Sequence, residues 1–187
     1  MSYECVVKQG NLLEEDNATF IVNASNTKLL LGSGVSMAFK RQCGIELQQE
    51  MTTQLEKSDC LLQKGDVVIT SSANAKNFKY ALHAVTMNYN QGVRGRDKSP
   101  TLEDIKKALI NIESYLKAYS EEPSCEHIKL VLPLMGCGVG GLDQVDIIEL
   151  YKNFFLRDIS FECEVVIYGY NIKDFKLIYK IIKGNEL

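Results

Sequence analysis

The sequence predicts an α/β fold: a sheet covered by helices on both faces. Three observations lead there. Strand-like and helix-like segments alternate almost to the end of the chain. Several strand segments are continuous apolar runs, as strands buried on both faces require. Two glycine-rich loops each follow a strand and open a helix. A chain of 187 residues can bury a full core, and residues 1–187 read as a single domain.

The elements follow in order. Glu4–Lys8 and Thr19–Ala24 read as strands. Ser33–Gln42 and Gly44–Leu55 read as a pair of helices broken near Gly44. Asp66–Thr70 and Tyr80–Val85 are the next strands, and His83 reads as a strand residue satisfied within the fold. Asn90–Lys98 has almost nothing to bury and is the stretch most prone to disorder. It reads as a surface connection, with a flap beside the site as the alternative. Thr101–Tyr119 is the clearest helix, because Leu102, Ile105, Leu109, Ile112, Leu116 and Tyr119 recur at helical spacing. Ser99 suits its N-cap, Pro100 its first position, and Glu103 and Asp104 its positive end. Ile128–Pro133 is a strand, and Gln144–Phe155 a helix capped by Asp143. Glu164–Tyr168 and Ile172–Lys183 complete the chain as strand and helix.

Composition narrows the function. The net charge is −3, which supplies no electrostatic footprint for general nucleic-acid binding. No apolar run approaches the roughly 18 residues of a membrane span. The first residues lack the basic-then-apolar pattern of a signal peptide, so the expected location is the cytoplasm and the expected state a monomer. The six cysteines are scattered without C-x-x-C pairing, and five of them read as small hydrophobes, with Cys137 set apart inside a glycine loop. Neither they nor His83 and His127 show metal-ligand spacing.

The two loops carry the chemistry. Gly32-Ser33-Gly34-Val35-Ser36 follows the second strand, and Gly136-Cys137-Gly138-Val139-Gly140-Gly141 follows the fifth. Glycine lets backbone approach a ligand closely, and a helix start offers unpaired N–H groups. Two such loops facing one another could hold two linked phosphates without lysine or arginine. Gly136, Gly138 and Gly141 also fit G-x-G-x-x-G, so a nicotinamide-dependent oxidoreductase of Rossmann type is a competing reading. That fingerprint needs an acid at the tip of the next strand, and Ile167-Tyr168-Gly169-Tyr170-Asn171 offers none.

At this point the chain resembles the macrodomains. Ile21-Val22-Asn23-Ala24-Ser25-Asn26 with Leu31-Gly32-Ser33-Gly34-Val35-Ser36 is similar to the first signature of that family. Gly65-Asp66-Val67-Val68 and Leu82-His83-Ala84-Val85 resemble its central strands, and Leu132 to Leu142 its second phosphate loop. The resemblance implies a three-layer α/β/α sandwich with a mixed sheet of about six strands. It also implies a cleft for ADP-ribose, with no cofactor beyond that ligand. Asn11 and Leu12 would lie at adenine, and Tyr170 would stack there with Asn171 beside it. Asn23 belongs to the first signature, and Asn26 would position the distal ribose and any attacking water. Gly32, Ser33, Gly34, Val35 and Ser36 would line the diphosphate and ribose from one side. Gly136, Cys137, Gly138, Val139 and Gly140 would cover them from the other.

Two departures qualify that picture. Asn11 stands where the family usually has an aspartate that accepts the adenine amino group. Ser36 stands where one hydrolytic branch has a water-activating aspartate, while Met87 or Asn88 and Gly140 stand at the lysine and aspartate of another. The expectation is therefore an ADP-ribose-binding macrodomain that recognises ADP-ribosyl groups on protein, nucleic acid or small molecules. Hydrolysis and pure reading compete, and Rossmann chemistry is third. Cys137, near a helix start where a thiol pKa can fall, reads as space-filling in preference to a nucleophile.

Overall fold

The computed structural model describes residues 1–184. Six strands form one sheet in the order β1-β6-β5-β2-β4-β3. They are β1 (Tyr3–Gln9), β2 (Ala18–Asn26), β3 (Val67–Ser71), β4 (Phe78–Met87), β5 (Lys129–Leu132) and β6 (Cys163–Gly169). All neighbouring pairs are parallel except β3 with β4, so the sheet is mixed. Five helices complete the fold: α1 (Val35–Cys43), α2 (Ile45–Glu56), α3 (Leu102–Ser120), α4 (Gln144–Phe155) and α5 (Ile172–Lys183). Among the described residues no helix is long and apolar enough to cross a membrane.

Alternation along each strand builds two cores. Phe20 and Val22 of β2, Leu130 and Leu132 of β5, and Val165 and Ile167 of β6 pack on one face with α3, α4 and α5. Ile21, Val131 and Val166 face the other way, against α1 and α2. Burial on both faces is why these strands lack a polar alternation. Every strand and helix expected from the sequence is present, with ends shifted by one or two residues, as local signals allow.

The cap of α3 is a correction. The N-cap is Thr101, not Ser99; its hydroxyl accepts from Asp104 N–H and the Asp104 carboxylate accepts in return, a capping box. Pro100 lies before the helix and is buried beside the second glycine loop, where a side chain at Gly140 would strike it as well as Gly136 O. The stretch 90–98 is also better defined than its composition suggests. Gly95–Lys98 forms a 3-10 turn, Asn88 N–H donates to Lys98 O at 2.9 Å, and Asn90 Nδ2 donates to Leu62 O at 3.1 Å.

The face of β1, β6 and β5 that α1 leaves uncovered is closed by the 3-10 turn Leu12–Glu14 and by Glu15. Glu15 is only 4% exposed. Its carboxylate accepts from Lys8 Nζ at 2.8 Å, Lys129 Nζ at 3.0 Å and Tyr168 OH at 2.7 Å, tying three strands to one residue. Burial alone would raise the Glu15 pKa, but these bonds outweigh it and hold the group below the usual carboxylate range. A lowered folded pKa contributes stability that is present above the ordinary value of 4.5 and lost as pH falls below it. We therefore expect Glu15→Gln to cost about 1.5–3 kcal/mol at pH 7, the range for hydrogen bonds to a charged group. Urea denaturation between pH 3 and 7 should show a shallower acid-side decline in the variant; an unchanged profile would contradict this role.

Candidate functional site

Connectivity makes a crevice. The strands β2 and β5 are neighbours, but β2 continues into α1 on one face and β5 leads to α4 on the other. Their ladder is short, pairing Phe20 with Leu130 and Ile21 with Val131. Beyond it the two chains part at their carboxyl ends, the position where open α/β sheets bind ligands. The two glycine loops are the segments that leave on either side, so they face one another.

The crevice has two lobes, of about 490 Å³ and about 440 Å³. Gly34, Val35, Pro133, Leu134 and Gly138 line both, so the loops meet at a waist between them. The larger lobe adds Asn11, Leu12, Cys137 and Tyr170 from the sequence-predicted set. The smaller adds Asn26, Gly32, Ser33, Ser36, Gly136, Val139 and Gly140. Two expected residues stand outside both linings. Asn171 caps α5, its side chain accepting from Lys173 N–H and Asp174 N–H. Asn23 is fully buried behind the wall.

Unpaired backbone donors belong to the loops at the waist and along the smaller lobe. Gly34 caps α1 without a side-chain bond, so the first N–H groups of that helix stay free. Among the described residues, the N–H groups of Gly34, Val35 and Ser36, and of Gly138, Val139 and Gly140, donate to no protein acceptor. The start of α4 is closed as expected, by Asp143 as N-cap: its Oδ1 accepts from Val145 N–H and Asp146 N–H. The second loop thus presents its own backbone, not a helix terminus. Its glycines divide by purpose. A Cβ at Gly140 would meet Gly136 O at 2.5 Å, so the fold itself demands glycine there. A Cβ at Gly138 or Gly32 would meet nothing within 4 Å; their smallness leaves room in the crevice.

A buried polar chain backs the smaller lobe. Ser36 Oγ donates to Asn23 Oδ1 at 2.9 Å, and Asn23 Nδ2 lies 3.0 Å from His83 Nδ1. His83 Nε2 lies 2.9 Å from Thr70 Oγ1, which donates to Ser71 O. An Asn23 donor fixes the imidazole as the Nε2–H tautomer, inferred from the network. Burial pushes the His83 pKa down to about 3, so the ring is neutral and structural, as its sequence position suggested. The Ser36 hydroxyl is spent on this chain. Asn26 is similarly fixed: Oδ1 accepts from Lys28 N–H and Leu30 N–H, and Nδ2 donates to Leu30 O, leaving one amide N–H free.

Sequence reasoning missed several wall residues. Met37, Ala38 and Arg41 of α1, with Gln144, Tyr168 and Asp174, line the larger lobe. Ser25, Leu30, Thr86 and Tyr89 line the smaller, together with Met87, one of the two residues expected at the lysine position. Arg41 and Asp174 are the only charged residues among these linings, and the smaller lobe has no carboxylate, histidine or cysteine. The i, i+3, i+4 spacing of Met37 or Ala38 with Arg41 could have placed Arg41 on the crevice face. The others depend on tertiary packing.

An α/β sandwich with a glycine-lined crevice at its parallel strand ends is a class of phosphate-site fold. The particular family follows from comparison. Residues 22–150 match the family model of the Macro domain, and the chain belongs to the macrodomain family. An uncharacterised protein of Saccharolobus solfataricus is 30% identical over 180 residues, 92% of this chain and 91% of its own length. One of Aquifex aeolicus is 33% identical over 138 residues, 73% of this chain and 71% of its own. Among solved structures, the Trypanosoma brucei macrodomain in complex with ADP-ribose superposes with a TM-score of 0.76 at 18% identity, covering 96% of this chain and 69% of that one. The Oceanobacillus iheyensis macrodomain with ADP gives 0.74 at 20% identity, covering 96% and 90%. The macrodomain fold expected from the sequence is therefore shown.

Cys137 does not have an activated thiol. Burial, then Asp143 and Asp174, push its pKa up to about 12. At pH 8 iodoacetamide should leave Cys137 unmodified in the folded protein while labelling the exposed Cys60. Peptide mass spectrometry reads the result, and rapid labelling at Cys137 would contradict the raised pKa.

Proposed function

We propose that this macrodomain binds ADP-ribosyl groups, with the diphosphate at the waist. The observation that carries the reading is the set of unpaired N–H groups contributed by both loops around an open Gly138. Backbone donors fixed by the fold bind an anion without reorganisation, so an acidic chain needs no cluster of lysines there. Adenosine takes the larger lobe, between Asn11 and Leu12 on one side and Tyr170 on the other. Tyr170 is 82% exposed, an aromatic face with no protein ring on it, which suits stacking on a base. The distal ribose takes the smaller lobe beside Asn26, Gly32, Ser33, Ser36, Val139 and Gly140. Solved neighbours holding ADP-ribose and ADP support this reading.

The same lobe bears on chemistry. Without a carboxylate, histidine or cysteine in its lining, it offers no side-chain base for water. Recognition is accordingly the primary function. Hydrolysis of an ADP-ribosyl bond is the second reading, favoured by one observation: Asn26 is held rigid with a single N–H to spare. In that reading Asn26 positions the ribose and a ligand phosphate orients the water. Incubation with Asp/Glu-linked, Ser-linked and nucleic-acid-linked ADP-ribose separates the two, because a reader releases nothing.

Calorimetry with ADP-ribose should give micromolar affinity. Gly138→Val should weaken it at least tenfold while leaving the thermal midpoint close to wild type, since its Cβ meets no neighbour. Equal affinity in that variant would remove the waist from the binding site. Asn11 Oδ1 already accepts from Leu13 N–H at 3.1 Å, a bond an aspartate would keep. Asn11→Asp exchanges a neutral acceptor for a charged one, a gain of about 1 kcal/mol or roughly fivefold in affinity. No tightening in the same titration would mean that Asn11 does not hold the adenine.

A further inference from the structure

The lining of the smaller lobe takes four polar residues from the β2–α1 segment: the exposed Ser33 and the buried Ser25, Asn26 and Ser36. Their hydrogen-bonding capacity differs. The single Ser36 hydroxyl proton is shared between Asn23 Oδ1 and Ala24 O, so Ser36 has no donor left. Asn26 keeps one N–H. The Ser25 hydroxyl has no partner at all among the described residues, although the residue is only 3% exposed. A buried polar group without a partner is destabilising and rare, and it calls for an explanation.

The Ser25 backbone is not loose. Its carbonyl accepts from Thr86 Oγ1 at 3.1 Å, and Thr86 lines the same lobe. In the ladder with β4, Ser25 pairs with Val85 and Asn26 with Met87, so Thr86 is the extra residue of a bulge on β4, and Ser25, Asn26 and Thr86 all line the one lobe. Only χ1 of Ser25 remains adjustable, and it can swing the hydroxyl between staggered positions. A donor from Asn26 and a donor-acceptor from Ser25, adjacent in the chain, match two vicinal hydroxyl groups.

We infer that Ser25 is a specificity-determining residue of the smaller lobe, its hydroxyl pairing with a hydroxyl of a bound sugar's vicinal diol. This rests on the ADP-ribose reading above and names what separates ADP-ribose from ADP in this chain. A ligand that stops at the diphosphate leaves Ser25 unpartnered; one that carries the second ribose satisfies it.

The experiment titrates ADP-ribose and ADP into wild type, Ser25→Ala and Ser25→Thr by calorimetry, with thermal midpoints measured alongside. In wild type ADP-ribose should bind more tightly than ADP. Ser25→Ala should lower that preference by about five- to tenfold through weaker ADP-ribose binding, with ADP affinity kept. Its thermal midpoint should be equal or higher, because an unpartnered hydroxyl is gone. Ser25→Thr, which keeps the hydroxyl, should retain most of the preference. An unchanged preference in Ser25→Ala overturns the role of Ser25 and leaves the cleft reading intact. A lower thermal midpoint in Ser25→Ala with both ligands weakened alike overturns it too, marking the residue as packing. Failure of wild type to bind ADP-ribose overturns the cleft reading itself.

Discussion

The site depends on one constraint of topology: neighbouring parallel strands whose chains leave on opposite faces. The residues after β2 must turn toward α1, and those after β5 toward α4. Nothing can fill the gap between them without crossing the sheet. The gap therefore exists before any side chain is chosen, and the sequence determines only its lining. Glycine at the waist keeps it open, and the loops that meet there carry backbone donors with no protein acceptor among the described residues. A sheet with both loops on one face would have offered no such opening.

Two buried polar systems hold the walls at their spacing. Behind the smaller lobe, Ser36, Asn23, His83 and Thr70 form a continuous hydrogen-bonded chain linking α1 to the central strands. Behind the larger lobe, Glu15 gathers Lys8, Lys129 and Tyr168 from three strands. Such networks have directional geometry, whereas apolar packing alone tolerates sliding. They explain why the wall near the site is polar at depth in an otherwise apolar core. They also leave Asp174 and Arg41 as the only charges on the lining, both in the larger lobe.

Much of this was legible in the sequence, for identifiable reasons. The strands were readable because burial on both faces imposes apolar runs, and the helices because α3 to α5 keep an apolar stripe. The glycine loops and Asp143 announce themselves by residue type and position. The cap of α3 was misplaced because Ser99, Pro100 and Thr101 each suit a helix start, and only the reciprocal bond to Asp104 decides among them. Ser25, Thr86, Arg41 and Glu15 were not legible as they function. Their roles depend on which chain segments become neighbours across the sheet. Asn23 shows the opposite limit: its motif was readable, but whether it faces the crevice or the wall behind depends on its register with His83.

The Glu15–Tyr168 bond, which spans 153 residues, bears on the order in which the protein assembles. The smaller lobe draws its lining from residues 24 to 140, all of which precede β6. The larger lobe needs Tyr168, Tyr170 and Asp174 from the C-terminal end, paired with a strand at the N-terminal end. Closing so long a loop is entropically costly and slow, so it belongs late in folding. During synthesis on the ribosome, one half of the cleft is encoded and available for packing while the other awaits the final strand. A nascent chain is thereby kept from presenting a finished site until β6 and the first turn of α5 have been made.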